Sequence, residues 1–371
     1  MKEENKLKEV AKVFFKLGSI AFGGPAAHIA MMEDEVVKKR KWMTQQNFLD
    51  MMGATNIIPG PNSTEMTMHC GHERAGVKGM FVAGACFIFP AVVITLVFCW
   101  LYQQYGQLPK VEPFIYGIKP AVIAIILGAV YRLGKKGLKN ITLGILGALT
   151  LIACLLGVNE ILALFACGFI GLLLHFLRSS NKTFSFFSPL ILIQLTASTG
   201  VLKVLWIFLK VGALLYGSGY VLFAYLDTEL VMTGLLTRQE LIDAIAVGQF
   251  TPGPILSTAT FVGWQLAGFW GAMAATIGIF LPSFIFVMIL NPLIPKIRKS
   301  KTISAFIDAV NIAAVALIIA VCFQMAQESL TDWRTIIIAV LSIITVFVFK
   351  KMNSAFIVVG GALVGYLLTM I

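Results

Sequence analysis

The chain has 371 residues, 58% of them hydrophobic and only 13% charged, with a formal net charge of +11 at pH 7. A soluble domain carries roughly 25% charged residues, which excludes a disordered protein, a secreted disulfide scaffold and a water-soluble enzyme of ordinary surface. Continuous apolar runs of about twenty residues, rather than alternating strands of about ten, exclude a membrane β-barrel, so the expected fold class is all-α integral membrane.

The N-terminal stretch Lys2 to Lys12 is mixed in charge. No short apolar core with a small-residue cleavage site follows it, so no removable signal peptide is expected. Apolar segments fall near 13–32, 47–68, 79–102, 114–131, 141–157 and 160–177. A second set lies near 205–225, 241–262, 269–294, 303–326, 335–349 and 354–371. A less hydrophobic crossing near 186–204 must join the two sets. Lys and Arg cluster in the short loops between these runs, as the positive-inside bias of a plasma-membrane protein requires, and no nucleic-acid partner is expected. Cys70, Cys86, Cys99, Cys154, Cys167 and Cys322 are scattered and show no disulfide or CxxC spacing.

The two sets share their order and spacing, and an internal repeat explains why. Lys16, Gly18, Phe22 and Gly23 match Lys210, Gly212, Tyr216 and Gly217 at an offset of 194. Glu33 and Glu35 match Asp227 and Glu229 at the same offset. Thr44, Asp50, Pro59, Gly60 and Pro61 match Thr237, Asp243, Pro252, Gly253 and Pro254 at 193. Gly71, Ala75, Gly76, Gly79 and Pro90 match Gly263, Ala267, Gly268, Gly271 and Pro282 at 192. The expected units are a first repeat over 1–183, a joining segment over 184–204 and a second repeat over 205–371.

Basic clusters mark cytoplasmic loops. In the first half they are Lys38–Lys41, Arg74 with Lys78, Arg132 to Lys139, and Arg178 with Lys182; in the second, Lys296 to Lys301 and Lys350 with Lys351. By this rule 79–102 starts inside, whereas its counterpart 269–294 ends inside. The loop near 227–243 is acidic, and its first-half equivalent is basic. The expectation is two inverted-topology repeats, as in many secondary transporters, with about nine full spans. The Gly-rich and Pro-Gly-Pro segments (13–32, 47–68, 205–225, 241–262) read as re-entrant or broken helices, which a membrane tolerates only inside protein or beside a wet cavity.

The candidate site lies in those breaks. Gly23, Gly24 and Pro25 pair with Pro59, Gly60, Pro61, Asn62, Ser63 and Thr64 in the first half. The second half offers Gly217, Ser218 and Gly219, then Thr251, Pro252, Gly253, Pro254 and Ser257. Glycine permits close backbone approach and proline suits a first helical turn, so each break is expected to start a half-helix with its free N–H groups turned inward. Such ends bind anions without a charged side chain; close-packed kinks are the structural alternative. Lys119 is a candidate counter-charge or a snorkelling lysine. Lys16, Lys210, Glu65 and His28 are coupling or pathway candidates, each with an ordinary interfacial or core role as its alternative. Glu33, Glu35, Asp227 and Glu229 read as interfacial partners of nearby bases. His69-Cys70-Gly71-His72-Glu73 is neither HExxH nor a spaced zinc set. No metal, no other cofactor and no catalytic set is expected.

These motifs carry a resemblance. Phe14-Phe15-Lys16-Leu17-Gly18 through Phe22-Gly23-Gly24-Pro25, then Trp42, Phe48-Leu49-Asp50, Pro59-Gly60-Pro61, Ala75-Gly76 and Phe89-Pro90, with the second copy through Phe280-Leu281-Pro282, are similar to the chromate ion transporter family. The whole chain is covered, as in its long-chain, two-domain members. The resemblance implies an inner-membrane exporter of chromate driven by a proton or ion gradient, with sulfate, of the same shape and charge, as another substrate. Ser218 stands where glycine is more usual, and Glu65 follows a Pro-Gly-Pro whose tail is more often neutral. The expected partners are a small oxyanion and membrane lipids, with a homodimer as an admissible assembly. A transporter of another small solute on the same fold, whether organic anion or cation, is the alternative.

Overall fold

A computed structural model describes residues 2–22, 24–55, 58–106, 108, 112–178, 200–216, 219–290, 301–349 and 352–370. The crossing expected near 186–204 lies mostly outside them, although α8 begins at Val201, within the range expected for the joining segment. The described residues fold entirely into helices and their connections.

The first half runs α1 (Lys2–Ile20), α2 (Pro25–Met32) continuing through a π-helical stretch (Glu33–Lys39), α3 (Gln45–Thr55), α4 (Asn62–Tyr105), α5 (Glu112–Gly137), α6 (Ile141–Leu155) and α7 (Glu160–Arg178). The second runs α8 (Val201–Leu214), α9 (Val221–Leu226) with a π-helical stretch (Asp227–Val231), α10 (Arg238–Phe250), a 3₁₀ turn (Ile255–Ser257), α11 (Thr258–Leu290), α12 (Lys301–Ser329), α13 (Trp333–Val348) and α14 (Ser354–Thr369). Five helices are long and apolar enough to cross a bilayer, and α6, α13 and α14 are shorter apolar helices. The four segments expected to be broken are broken: none of 13–32, 47–68, 205–225 and 241–262 is a continuous helix. The mixed-charge stretch Lys2 to Lys12 belongs to α1.

The repeat is visible in the packing. α1 lies on α4, and α8 on α11, each through a glycine. A Cβ on Gly18 would collide with the Phe87 carbonyl oxygen, and one on Gly212 would come within 2.5 Å of the equivalent Ile279 oxygen. The larger core forms where α12 packs on α5, α6 and α7, with Ala121 to Ile126 facing Ala309 to Cys322. α14 closes on α5 where Gly117 meets Gly361 and Gly365 backbone to backbone. Small residues admit this approach where no water-driven force pulls helices together.

α4 and α11 each bridge two of the expected apolar segments. Each is two arms joined by a two-residue reversal, Ala75 (φ −145°) with Gly76 (φ 62°) and Ala267 (φ −152°) with Gly268 (φ 60°). A positive φ is open to glycine and strained for other residues. The arms pack back on each other, because a Cβ on Gly71 would strike Gly79's carbonyl oxygen and one on Gly79 would strike Gly71's; Gly263 and Gly271 repeat this. The short arm 62–74 therefore returns from the Pro-Gly-Pro break, and the long arm 77–105 departs beside it. Gly71→Val is expected to prevent closure of this hairpin and to remove the monodisperse peak of detergent-extracted protein. Gly360→Ala, where an added Cβ meets nothing within 4 Å, should leave that peak unchanged.

Ion pairs tie the ends of these hairpins. Glu9 on α1 accepts from Arg40 at 2.9 Å and from Arg74 at 2.7 Å, and Trp42 donates to it at 3.3 Å. The start of α1, the end of the π-helical stretch and the tip of the α4 hairpin therefore share one end of the molecule, so 2–40 and 45–74 each go in and come back. In the second half Asp227 accepts from Arg238 at 2.8 Å, and Arg238 also reaches Glu328 at 2.7 Å. The far end of α4 meets this second half: Tyr102 donates to Asp243 at 2.7 Å and Gln103 accepts from Trp264 at 3.1 Å.

Candidate functional site

The four breaks meet one another across the two halves. In the first, α1 ends at Ile20 and α2 restarts at Pro25, with Gly24 (φ 79°) as its N-cap. In the second, Gly60 (φ 145°) precedes Pro61, which caps α4 in an extended conformation without a side-chain hydrogen bond. In the second half, Gly253 has φ 91°, and Pro254 caps the 3₁₀ turn that opens α11.

Two hydrogen bonds hold the halves together here, and they are repeat images of each other. The Gly60 N–H donates to the Leu215 carbonyl at 2.6 Å, and the Gly253 N–H donates to the Ala21 carbonyl at 2.8 Å. Each Pro-Gly-Pro glycine thus binds the break of the opposite half. A Cβ on Gly219 would lie 2.6 Å from Ile255, and one on Gly24 would lie 3.7 Å from the Tyr220 hydroxyl. Residues on either side of the repeat boundary therefore form one junction.

That junction carries unpartnered buried polar atoms. Thr64 Oγ1, both oxygens of Glu65, Ser257 Oγ, Gln249 Nε2, Ser283 Oγ and His28 Nδ1 have no hydrogen-bond partner. Thr64, Glu65, Ser257 and Ser283 are fully buried. Buried polar atoms are nearly always paired, and these orphans lie on the breaks, their first turns and the facing α11. His28 Nε2 lies 3.1 Å from the Ala21 oxygen, and its ring meets Phe87 edge-on at 5.6 Å. Ser63 is buried in the same turn as Thr64.

Other expected site residues have different engagements. Thr251 Oγ1 donates back to the Val247 carbonyl at 2.8 Å, which spends its hydroxyl on α10. Lys119, read from sequence as a candidate counter-charge, is 3.7 Å from Asp243, whose other oxygen takes the Tyr102 proton. It joins an α4–α5–α10 cluster through that partner. Lys210 pairs with Glu229 at 2.6 Å, and the exposed Lys16 faces the equivalent Glu35. Glu35 itself accepts from Arg40 at 3.1 Å, and Glu33 accepts from Gln45 at 3.0 Å. Gly23, Gly217 and Ser218 lie outside the described residues.

Among the described residues no group of three or more His, Cys, Asp and Glu converges as a metal site, and the six cysteines are free thiols. At a helix start between α12 and α13, the Tyr116 hydroxyl holds the Asp332 carboxyl below the usual carboxylate range. Sequence reading missed Ser283 and Tyr220. For Ser283 a signal existed, since the Pro90–Pro282 register sets it opposite Ala91, but a lone serine after a proline gives no hint that it faces Gly60.

Comparison with known proteins places the chain. The family model described as chromate transporter matches residues 8–172 and 202–366. The chain is 30% identical to the chromate transport protein of Cupriavidus metallidurans, over 97% of this chain and 92% of that one. It is 29% identical to the probable chromate transport protein of Synechococcus elongatus, over 97% and 95%. It is also 29% identical to the chromate transport protein of Pseudomonas aeruginosa, over 95% and 90%. No solved structure matches. The chain belongs to the chromate transporter family, as a long-chain, multi-pass membrane member with the family domain in two halves; it is a transporter and not an enzyme.

Proposed function

We propose that this member of the chromate transporter family moves a tetrahedral oxyanion, chromate or sulfate, across the plasma membrane as an exporter, by alternating access between two inverted repeats. The observation that carries this reading is the reciprocal pair of hydrogen bonds from Gly60 to Leu215 and from Gly253 to Ala21. They bring the N-terminal ends of half-helices from both repeats to one junction, among orphaned hydroxyl and amide groups. Main-chain N–H groups at helix starts carry a partial positive charge, and two such ends suit a small dianion better than a cation. The guest would be held by Gly24, Pro25 and Pro59 to Thr64 from one repeat, and by Gly219, Pro252 to Pro254 and Ser257 from the other.

Inversion has its own support. Arg40 and Arg74 meet on Glu9 where the first half's hairpins end, and the positive-inside rule makes that end cytoplasmic. The second half's hairpins end among Asp227, Glu229, Glu240 and Glu328. Exposed Trp100, Tyr105, Phe269, Trp270 and Trp333 sit at the turns on that acidic side, as an aromatic belt does at a membrane face. Rocking of one half against the other about the shared junction would expose it alternately to each side.

Proteoliposomes holding the purified protein are expected to take up radiolabelled chromate or sulfate, with each anion competing for the other. Flux carried by organic anions or monovalent cations, with neither oxyanion transported nor competing, would overturn the reading.

A further inference from the structure

We propose that Glu65 is a proton-binding group that is protonated when the anion occupies the junction. The inference rests on the anion-transport reading above and names what accompanies the anion at the same junction.

Gly60 sits between the Glu65 carboxyl and the Ser283 hydroxyl so closely that a Cβ there would overlap Glu65 Oε1 and Ser283 Oγ. Glu65 is fully buried, and neither of its oxygens nor Ser283 Oγ has a hydrogen-bond partner. Among the described residues, Ser283 faces it from α11 and Tyr216 stands within electrostatic reach from the second half's break. His69 lies one turn along its own helix. Neither Ser283 nor Tyr216 can carry a positive charge.

An unpaired carboxylate away from water is costly. The dipole at the start of α4 offsets only part of that cost. A dianion arriving at the same helix end adds like-charge repulsion. A proton removes both costs, since the carboxylic O–H is then a donor that can serve Ser283 Oγ or the anion.

The repeat provides an internal comparison. At Gly253 the equivalent pocket is lined by the Ala91 methyl at 3.0 Å, where Gly60 has Ser283. The position equivalent to Glu65 is Thr258, whose hydroxyl is already used on the Ile255 carbonyl at 2.8 Å. Only one of the two pockets is acidic. A single carboxyl at this junction takes one proton per dianion, so the loaded site carries net −2 rather than −3.

The test is proton uptake on binding, measured with purified protein in weakly buffered alkaline solution, where chromate is a dianion. Wild type is expected to take up about one proton per anion bound, with affinity falling about tenfold per pH unit. Glu65→Gln is expected to bind chromate with no proton uptake and pH-independent affinity. As a second measurement on wild type, dicyclohexylcarbodiimide, which modifies protonated carboxyls in apolar surroundings, should label Glu65, and chromate should extend that labelling to higher pH. Binding by wild type without proton uptake, equal uptake by Glu65→Gln, or labelling of Glu65 that chromate does not extend would each overturn the proposal while leaving anion transport standing. Failure of wild type to bind chromate or sulfate at all would instead defeat the underlying reading.

Discussion

Gly60→Leu is expected to abolish oxyanion flux while the protein still reaches the membrane. The backbone at Gly60 has φ 145°, and a Cβ would overlap the Glu65 and Ser283 side chains. A leucine must therefore displace the junction's only buried carboxyl among the described residues, or move the N–H that holds Leu215. A displacement of about 1 Å at a site of this kind costs on the order of 100-fold in rate. Gly253→Leu should do the same from the other repeat, because φ is 91° there and the Cβ would press on Ala91 at 3.0 Å and on the Gly18 carbonyl at 3.1 Å. Flux in proteoliposomes, normalised to the reconstituted protein, measures both. Flux near wild type from either variant would remove the junction from the transport path.

Arg238→Ala should produce the largest loss of stability. Asp227 is almost fully buried, with a side chain 1% exposed, and two nitrogens of Arg238 bind its two oxygens at 2.8 and 3.1 Å. Arg238 also joins Gln324 and Glu328 on α12. Removing the guanidinium leaves a buried carboxylate without its counter-charge, at a cost of about 3 kcal/mol. The same change unpins the start of α10 from α12. Thermal unfolding in detergent should show a midpoint several degrees lower, and Asp227→Asn combined with Arg238→Ala should recover most of the loss. A double variant no better than the single one would mean that Arg238 acts through α12 alone.

The sequence made the repeat and its breaks legible because both rest on residues whose chemistry is local. Clustered proline and glycine stop a helix, so 13–32 and 241–262 were readable as interrupted, whereas single prolines such as Pro90 and Pro282 stay within helices. Helix edges such as Ile141–Leu155 and Trp333–Val348 followed the apolar runs. The reversals at Ala75–Gly76 and Ala267–Gly268 fall in the gaps between the expected segments 47–68 and 79–102 and between 241–262 and 269–294, the first marked by Arg74 and Lys78. That the two arms pack back on each other was not legible, because only the close approach of Gly71 to Gly79 reveals it. Lys119 illustrates the limit on charges. Its place in an apolar segment marked it as paired or functional, but the partner, Asp243, lies on α10, and no local pattern links them. Ser283 was unreadable for the same reason, since its meaning depends on Gly60 of the other half.

The central claim is that the two repeats face opposite ways around one junction. Val77 and Phe269 occupy equivalent positions at the two hairpin tips and are 49% and 48% exposed. With the six native cysteines replaced, a single cysteine at each position can be challenged with a membrane-impermeant maleimide in intact cells and in inside-out vesicles. The inverted arrangement predicts that Val77→Cys reacts only from the cytoplasmic side and Phe269→Cys only from the outside. Labelling of both from the same side would contradict it.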